Sequence, residues 1–448
     1  MLHRLLRMEI DKRQVMRILY VVHDFLPHNV AGTEIYAFNL AREVSKRHDI
    51  HVFYNIDRDA LPGTVVKGVY EGIPFSATVS SLGKYNEYAP THREAFVIKT
   101  FEETLNTFSP DIVHFHHILH LTPQLLRIVH RRKIPIIFTL HDFWLLCHRT
   151  ILRRKDGELC IKNGMIKCGK CHMDNTNTQQ IVDRLLQALP NPKKLYWQLS
   201  SEASVLRYYF DGRIKEAKEI FRLVDLFISP SNFLRDVFIQ HGLDPSKIIY
   251  SGNGMPEMRT VEFEKNSPKK RLQFGYMGGD HEAKGFQVLL RAFSGITAAD
   301  LLVFGRVAES KQKAVSGVGA SHIHFHGQVT GGEKELWLSR MDAMIVPSLW
   351  YETFSLVVHE AYMAGMPAIV SGIGALAEFV KNDVTGLHFK VGDSDDLREK
   401  NPAACTKPAQ DRRNAKKFAE GKNDARKCSR DGYHLWPVGA RLQVMALF

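Results

Sequence analysis

The chain lacks any apolar run near the roughly 20 residues that a membrane-spanning helix requires. Its opening, Met1-Leu-His-Arg-Leu-Leu-Arg7, lacks the apolar core and small-residue cleavage site of a secretory signal. Both absences point to a cytoplasmic protein. Cysteine is scarce, with 6 in 448 residues, too few for a disulfide framework. Nor is there a basic stripe interleaved with aromatics on a patterned element, which nucleic-acid binding requires. The net charge of +12 is concentrated instead from Arg398 onward, where 12 Lys or Arg face 5 Asp or Glu. Nucleic acid is therefore not an expected partner. A basic surface leaves peripheral contact with anionic lipid at the cytoplasmic membrane face open.

What is present is an alternation of short apolar runs and helical spacing. Residues 17–22, 51–54, 111–116 and 134–140 have strand length, and 35–44, 93–108 and 122–131 carry helical patterning. This predicts a parallel sheet covered on both faces. An insert over 147–180 interrupts the pattern. A helix over 198–223 and a strand over 226–229 follow, then a helix N-capped by Ser231 and closed after Gln240 by Gly242. The polar stretch 252–270 reads as a linker. Beyond it strands are expected at 272–277, 301–304, 323–326, 343–346 and 367–370, with helices at 284–293, 333–340 and 355–365. The predicted organisation is an N-terminal domain over 16–251, the linker, a C-terminal domain over 271–391 and an atypical basic tail over 392–448. Ligands of such sheets bind at the carboxyl ends of the strands, so the loops there are where chemistry belongs.

The most informative of these loops is Pro347-Ser-Leu-Trp-Tyr-Glu352-Thr-Phe-Ser-Leu-Val-Val-His-Glu360-Ala-Tyr-Met-Ala-Gly365-Met-Pro367. A helix beginning near Ser355 leaves the amides of Phe354, Ser355 and Leu356 without helical partners, and such a terminus suits an anionic phosphate. Glu360, about one turn along, is placed to accept hydrogen bonds from two ribose hydroxyls. Glu352, before the helix, is placed to meet a sugar hydroxyl. A capping acid and a solvated helix acid are the alternative for any such pair, but the strand-end position favours function.

This stretch strongly resembles the Glu-x7-Glu region of the family-4 (group 1) retaining glycosyltransferases, with Glu352 and Glu360 as its acids and Gly365 and Pro367 as its Gly-x-Pro. The resemblance spans residues 16–391. It includes Ala31-Gly32-Thr-Glu34, Pro110-Asp-Ile-Val-His-Phe-His116, Thr139-Leu-His141-Asp142, Pro230-Ser-Asn-Phe-Leu234 and Gly275-Tyr-Met-Gly278 with Lys284-Gly285. It implies an α/β protein of GT-B fold, two Rossmann-like domains facing each other across a cleft. The implied reaction is transfer of a hexose, with retention, from a nucleotide-sugar donor to a hydroxyl of a carbohydrate or lipid-linked acceptor, in glycan, polysaccharide or glycolipid assembly. By the same resemblance, His141 contacts the transferred sugar and Lys284 grips the diphosphate. Gly32 lets the backbone approach a phosphate without a Cβ in the way, and Gly278 lies on the donor loop. His141, Lys284 and Glu352 are the expected catalytic residues. The arginine usual five residues before the lysine is Gly279 here, so part of the clamp has to come from elsewhere. At least one of His114, His116 and His117 reads as core filling. Asp-x-Asp occurs only at 57–59 and 393–395, outside these motifs, and no catalytic divalent metal is expected.

Cys147, Cys160, Cys168 and Cys171 end in a Cys-x-x-Cys with zinc-ribbon spacing, and structural zinc is expected. An iron–sulfur cluster and four plain thiols are the other readings. After Leu397 helical patterning breaks down at Asn401-Pro-Ala-Ala-Cys-Thr-Lys-Pro408, which reads as a shift of reading frame, a truncation of the coding sequence or an unstructured basic tail. Two other functions stay open: a nucleotide-sugar-binding protein disabled by the missing arginine and by loss of the closing helix that the resemblance implies, and a sugar-nucleotide epimerase of similar fold.

Overall fold

The computed structural model describes residues 15–56, 63–79, 92–119, 121–154, 156–161, 168, 171, 201–255, 271–296, 298–317 and 319–400. The expected linker from 256 on, much of the 147–180 insert and the tail from 401 lie outside the described residues. Among the described residues no helix is long and apolar enough to cross a membrane.

The chain divides into two compact units. The first runs to Pro230 and resumes over Leu234–Gly254. Its sheet contains β1 (Arg17–Val21), β2 (Asp49–Ile56), β3 (Thr64–Tyr70), β4 (Ile73–Val79), β5 (Ile112–Phe115), β6 (Ile136–Thr139), β7 (Leu226–Ser229) and β8 (Ile248–Tyr250), in the order β3-β4-β2-β1-β5-β6-β7-β8. Helices α1 (Gly32–Val44), α2 (His92–Phe108), α3 (Gln124–Arg131), α4 (Ser201–Leu223) and α5 (Asn232–Gln240) connect them. The central strands are covered on both faces, so β1 reads Ile18-Leu-Tyr-Val21 without alternation, and all four side chains are fully buried.

The sequence pattern does not announce the β3–β4 hairpin, among the described residues the one antiparallel strand pair of this sheet. β3 is an edge strand with Val65, Val66 and Val69 exposed, so no buried face marks it. Its turn is Glu71-Gly72, both at positive φ (43° and 84°), the backbone that a two-residue hairpin demands.

The second unit holds Ser231–Phe233 and continues from Met255. Its six-stranded, all-parallel sheet has the order β11-β10-β9-β12-β13-β14. The strands are β9 (Leu272–Met277), β10 (Ala299–Phe304), β11 (Ile323–Gly327), β12 (Ala343–Val346), β13 (Ala368–Ser371) and β14 (Gly386–Phe389). The helices are α6 (Phe286–Phe293), α7 (Glu309–Gly317), α8 (Gly331–Arg340), α9 (Leu356–Met363), α10 (Gly374–Phe379) and α11 (Ser394–Lys400). One core packs Phe274, Tyr276, Phe286 and Phe293 together, and another packs Met344, Val346, Val358 and Met366. In each sheet the first strand, β1 or β9, has later strands on both sides. That reversal of strand order opens a crevice at its carboxyl end.

Two departures from the expected boundaries bear on the site and the core. Lys284 does not open a helix; it closes a 3-10 turn, Glu282–Lys284, and Gly285 (φ 76°) resets the chain before α6. A Cβ at Gly285 would stand 1.8 Å from the carbonyl oxygen of Pro347, so close approach of the loops after β9 and β12 demands glycine. Ordered structure also continues past Val391. Leu397 of α11 is fully buried, and Arg398 donates to the carbonyls of Ala292 (3.3 Å) and Arg291 (3.2 Å) at the end of α6.

Candidate active site

In the second unit the loop after β9 carries Lys284 and the loop after β12 carries Glu352. Their side chains pair at 2.8 Å, and the Lys284 ammonium also lies 4.9 Å from the Trp350 ring centre. The same Glu352 Oε1 accepts from Ser348 Oγ (2.7 Å) and Trp350 Nε1 (3.0 Å). Burial pushes the Glu352 carboxyl up, but Lys284, Ser348 and Trp350 outweigh it and hold the group below its ordinary range. Glu352 is thus a fixed anion, while Lys284 keeps 36% of its side chain exposed. The sequence reading gave each a separate role; the structure makes one the seat of the other. Beneath the loop, the Tyr276 hydroxyl donates to the Gly279 carbonyl at 3.0 Å. A Cβ at Gly278 would stand 2.5 Å from that hydroxyl, which accounts for glycine there.

Helix α9 begins after Ser355, which adopts φ 63°, ψ 81°, a left-handed conformation that costs a non-glycine residue on the order of 1 kcal/mol. Two contacts hold it. His359 Nδ1 bonds the Ser355 carbonyl oxygen at 3.0 Å, and the Phe354 ring stacks on His359 with centres 3.9 Å apart. Burial pushes His359 down to about 4, so it is neutral at pH 7. The amides of Phe354, Ser355 and Leu356 bond to no described residue. Glu360 pairs with Lys334 of α8 through Oε1, while its buried Oε2 has no partner among the described residues. Burial raises the Glu360 carboxyl above its ordinary value despite Lys334. A buried acceptor left unsatisfied costs about 1–3 kcal/mol, which a ligand hydroxyl would recover. Gly365 (φ 69°) ends the helix, with its amide bonded to the Tyr362 carbonyl at 2.9 Å.

In the first unit the strand ends carry histidines. His114 Nε2 is 2.8 Å from Thr139 Oγ1, and its ring stacks on His116 at 4.2 Å. His116 in turn stacks on His141 at 5.7 Å. Burial drives His114 and His141 down to about 3 and His116 well below its ordinary value, so all three are neutral. His114 and His116 are completely buried core groups. His117 differs. The Leu119 amide donates to its Nδ1 at 2.9 Å, which leaves the proton on Nε2, facing Asp142 at 3.3 Å. His23 and Glu34, which the sequence reading did not assign, form a further pair at 3.0 Å, and the His23 ring lies 4.7 Å from that of His117. The Glu34 carboxylate is buried at the start of α1, and only its place in the Ala-Gly-Thr-Glu motif signalled it. Gly32 is the first residue of that helix and is not at positive φ.

Cys147, Cys160, Cys168 and Cys171 carry no disulfide. Burial, and then the nearby thiols of Cys171 and Cys160, raise the Cys147 thiol. Among the described residues, however, no three His, Cys, Asp or Glu side chains are gathered closely enough to hold a metal ion.

Residues 30–257 match the family described as Glycosyltransferase Family 4, and residues 271–401 match Glycosyl transferases group 1. Over 119 residues the chain is 31% identical to a phosphatidyl-myo-inositol mannosyltransferase of Mycobacterium leprae, covering 26% of this chain and 32% of that protein. The chain thus spans about a third of the length of that relative. An uncharacterized 42.6 kDa protein of the Klebsiella pneumoniae cps region is 20% identical over 377 residues, 81% of this chain and 87% of its own. Anabaena Alr3699/HepE in complex with UDP-glucose shares the fold with a TM-score of 0.61 at 15% identity, covering 96% of this chain and 98% of that one. The Family 4 match alone takes in more than half of the chain, so this protein belongs to glycosyltransferase family 4 and has the two parallel, Rossmann-like sheets of the GT-B fold.

Proposed function

We propose that the protein is a retaining glycosyltransferase that moves a hexose from a nucleoside diphosphate to an acceptor hydroxyl in glycan, polysaccharide or glycolipid assembly. The supporting observation is the loop after β12 and the start of α9: Glu352 holds Lys284 at 2.8 Å, the amides of Phe354, Ser355 and Leu356 follow with no described partner, and Glu360 Oε2, farther along α9, has none among the described residues. The barrier in such transfer is separation of a positively charged sugar from an anionic leaving group, so fixed positive groups at the diphosphate lower it. In this reading the amides of Phe354, Ser355 and Leu356 and the Lys284 ammonium meet the diphosphate. Glu360 Oε2 accepts from the ribose, and Glu352, whose bonds all fall on Oε1, offers Oε2 to a sugar hydroxyl. The neutral His141 serves as a hydrogen-bonding imidazole for the transferred sugar rather than as a cation. Chemistry of this kind needs no catalytic divalent metal.

Two relatives support the substrate classes: one is named a phosphatidyl-myo-inositol mannosyltransferase, and another binds UDP-glucose. A lipid-linked acceptor fits a cytoplasmic protein that meets the membrane at its surface. Retention is tested by the anomeric configuration of the product, read by NMR; an inverted product contradicts it. We also propose that Cys147, Cys160, Cys168 and Cys171 close around a structural zinc. Elemental analysis of the purified chain finding no stoichiometric zinc overturns that assignment. The activity itself is tested by nucleoside diphosphate release from a panel of UDP-, GDP- and ADP-sugars. Donor consumption without acceptor, accompanied by an altered sugar, identifies an epimerase. Donor binding without turnover identifies a disabled binding protein.

A further inference from the structure

We infer that Arg306 supplies the guanidinium that the diphosphate clamp lacks at Gly279. The inference rests on the donor-site reading above and extends it to a different loop. Lys284 and the amides are that reading's positive groups, but the Lys284 charge is already matched by Glu352 at 2.8 Å. Two other cations near the same strand ends are matched in the same way: Lys311 pairs with Asp280 (2.8 Å), and Lys334 pairs with Glu360. A diphosphate brings two or three negative charges, so a rim whose lysines all sit on carboxylates is short of positive charge.

Arg306 is the exception. It is exposed, directly after β10, and its Nε donates to the neutral carboxamide oxygen of Gln328 at 3.2 Å. No carboxylate among the described residues pairs with it. The bond to Gln328 engages Nε and leaves both terminal nitrogens for a phosphate, the forked geometry that Arg offers and Lys does not.

Backbone contact explains why the arginine stands on this loop. The amides of Gly278 and Gly279 both donate to the Phe304 carbonyl (3.2 and 3.0 Å), and the Asp280 amide donates to the Arg306 carbonyl (3.0 Å). The loops after β9 and β10 therefore lie main chain against main chain. Gly279 has φ 59°, and a Cβ there would stand 2.5 Å from the Arg306 carbonyl oxygen. Gly305 has φ 106°, and its Cβ would stand 2.6 Å from the Gly279 nitrogen. Neither position admits a side chain. The first residue of the second loop that does is Arg306, with its backbone touching the position where the family arginine is absent.

The test is titration calorimetry of the full chain with UDP, GDP and ADP and with the three corresponding monophosphates. For the diphosphate that the wild type binds, Arg306→Ala is expected to weaken affinity by about tenfold, with the matching monophosphate changed by less than about twofold. Arg306→Lys should recover part of the loss, and the melting temperature should stay at the wild-type value because the side chain is exposed. Should Arg306→Ala fail to fold, Arg306→Gln serves the same comparison. Unchanged diphosphate affinity overturns the inference, as does an equal loss for mono- and diphosphate. If the wild type binds none of the three diphosphates, the donor-site reading itself fails and this inference goes with it.

Discussion

The two sheets open the same kind of crevice and line it in opposite ways. At the strand ends of the first unit three histidines are stripped of charge by burial, and Glu34 and Asp142 are each matched by an imidazole. At the strand ends of the second unit the functional groups are full charges: Lys284 on Glu352, Lys334 on Glu360, and Arg306 on a neutral amide. Under the proposed function, the difference follows from what each crevice would hold. Neutral imidazoles suit hydroxyl groups, which need directional hydrogen bonds and no counter-charge. Fixed cations and free amides suit a departing diphosphate. The lesson is that burial can be used to remove charge on one unit, while close pairing preserves it on another.

The sharpest way to break the comparison is to remove a charge from the second unit. Lys284→Ala should lower turnover by about 100-fold, and Glu360→Ala by about tenfold, losses of roughly 2.7 and 1.4 kcal/mol in transition-state stabilisation. Steady-state release of nucleoside diphosphate measures both; wild-type rates would show that the charged rim is not the donor site. In the first unit it is neutrality that should matter. His141→Asn, which keeps a neutral hydrogen-bonding group, should retain activity within about tenfold, whereas His141→Lys should fall further because it forces a charge into a desolvated, half-buried site. Equal loss in the two variants would remove the distinction between the units.

Acid separates the units more gently. A buried histidine whose folded pKa is depressed takes up its proton first in the unfolded chain, so its contribution to stability is complete above about 6.5 and falls as the pH drops toward the folded value. His114 and His141 are held at about 3 and His51 at about 4 in the first unit, with His359 at about 4 in the second. Each costs up to about 1.4 kcal/mol per pH unit across that window. Glu352, held low, loses its contribution only as the pH falls below the ordinary carboxylate value of 4.5. Glu360, held high, acts in the opposite sense as its protonation begins. Between pH 6.5 and 5 the first unit should therefore lose more protection in amide exchange followed by mass spectrometry. The smallest effect should come from Ser355→Gly, which relieves the left-handed strain and should stabilise by about 0.5–1 kcal/mol in urea unfolding. A destabilised variant would mean that the Ser355 side chain, not the backbone, holds the turn.

Much of the fold was legible because β1, β7 and β12 are covered on both faces and so appear as bare apolar runs. The exposed edge strand β3 lacks that signature, and only Glu71-Gly72 marks its hairpin. At the site, Glu352, Glu360 and Lys284 could be read from motif and strand-end position. Their partnerships could not, because Lys284 and Glu352 lie 68 residues apart and meet only through the approach of two loops at Gly285. The pairing of His23 with Glu34, and of His359 with the Ser355 carbonyl, carries no sequence signal for the same reason: both are fixed by packing, and neither histidine stands in a charged or periodic pattern of its own. Gly279 was legible as a missing arginine, but its answer at Arg306 became visible only with the backbones of the two loops in contact.

The central claim is tested most directly by nucleoside diphosphate release from UDP-, GDP- and ADP-sugars, with and without a crude glycolipid extract as acceptor, in the wild type and in Lys284→Ala. The predicted result is release from one donor, stimulated by acceptor and lowered by about 100-fold in the variant. No release from any of the three donors, or release at the same rate in wild type and variant, would contradict it.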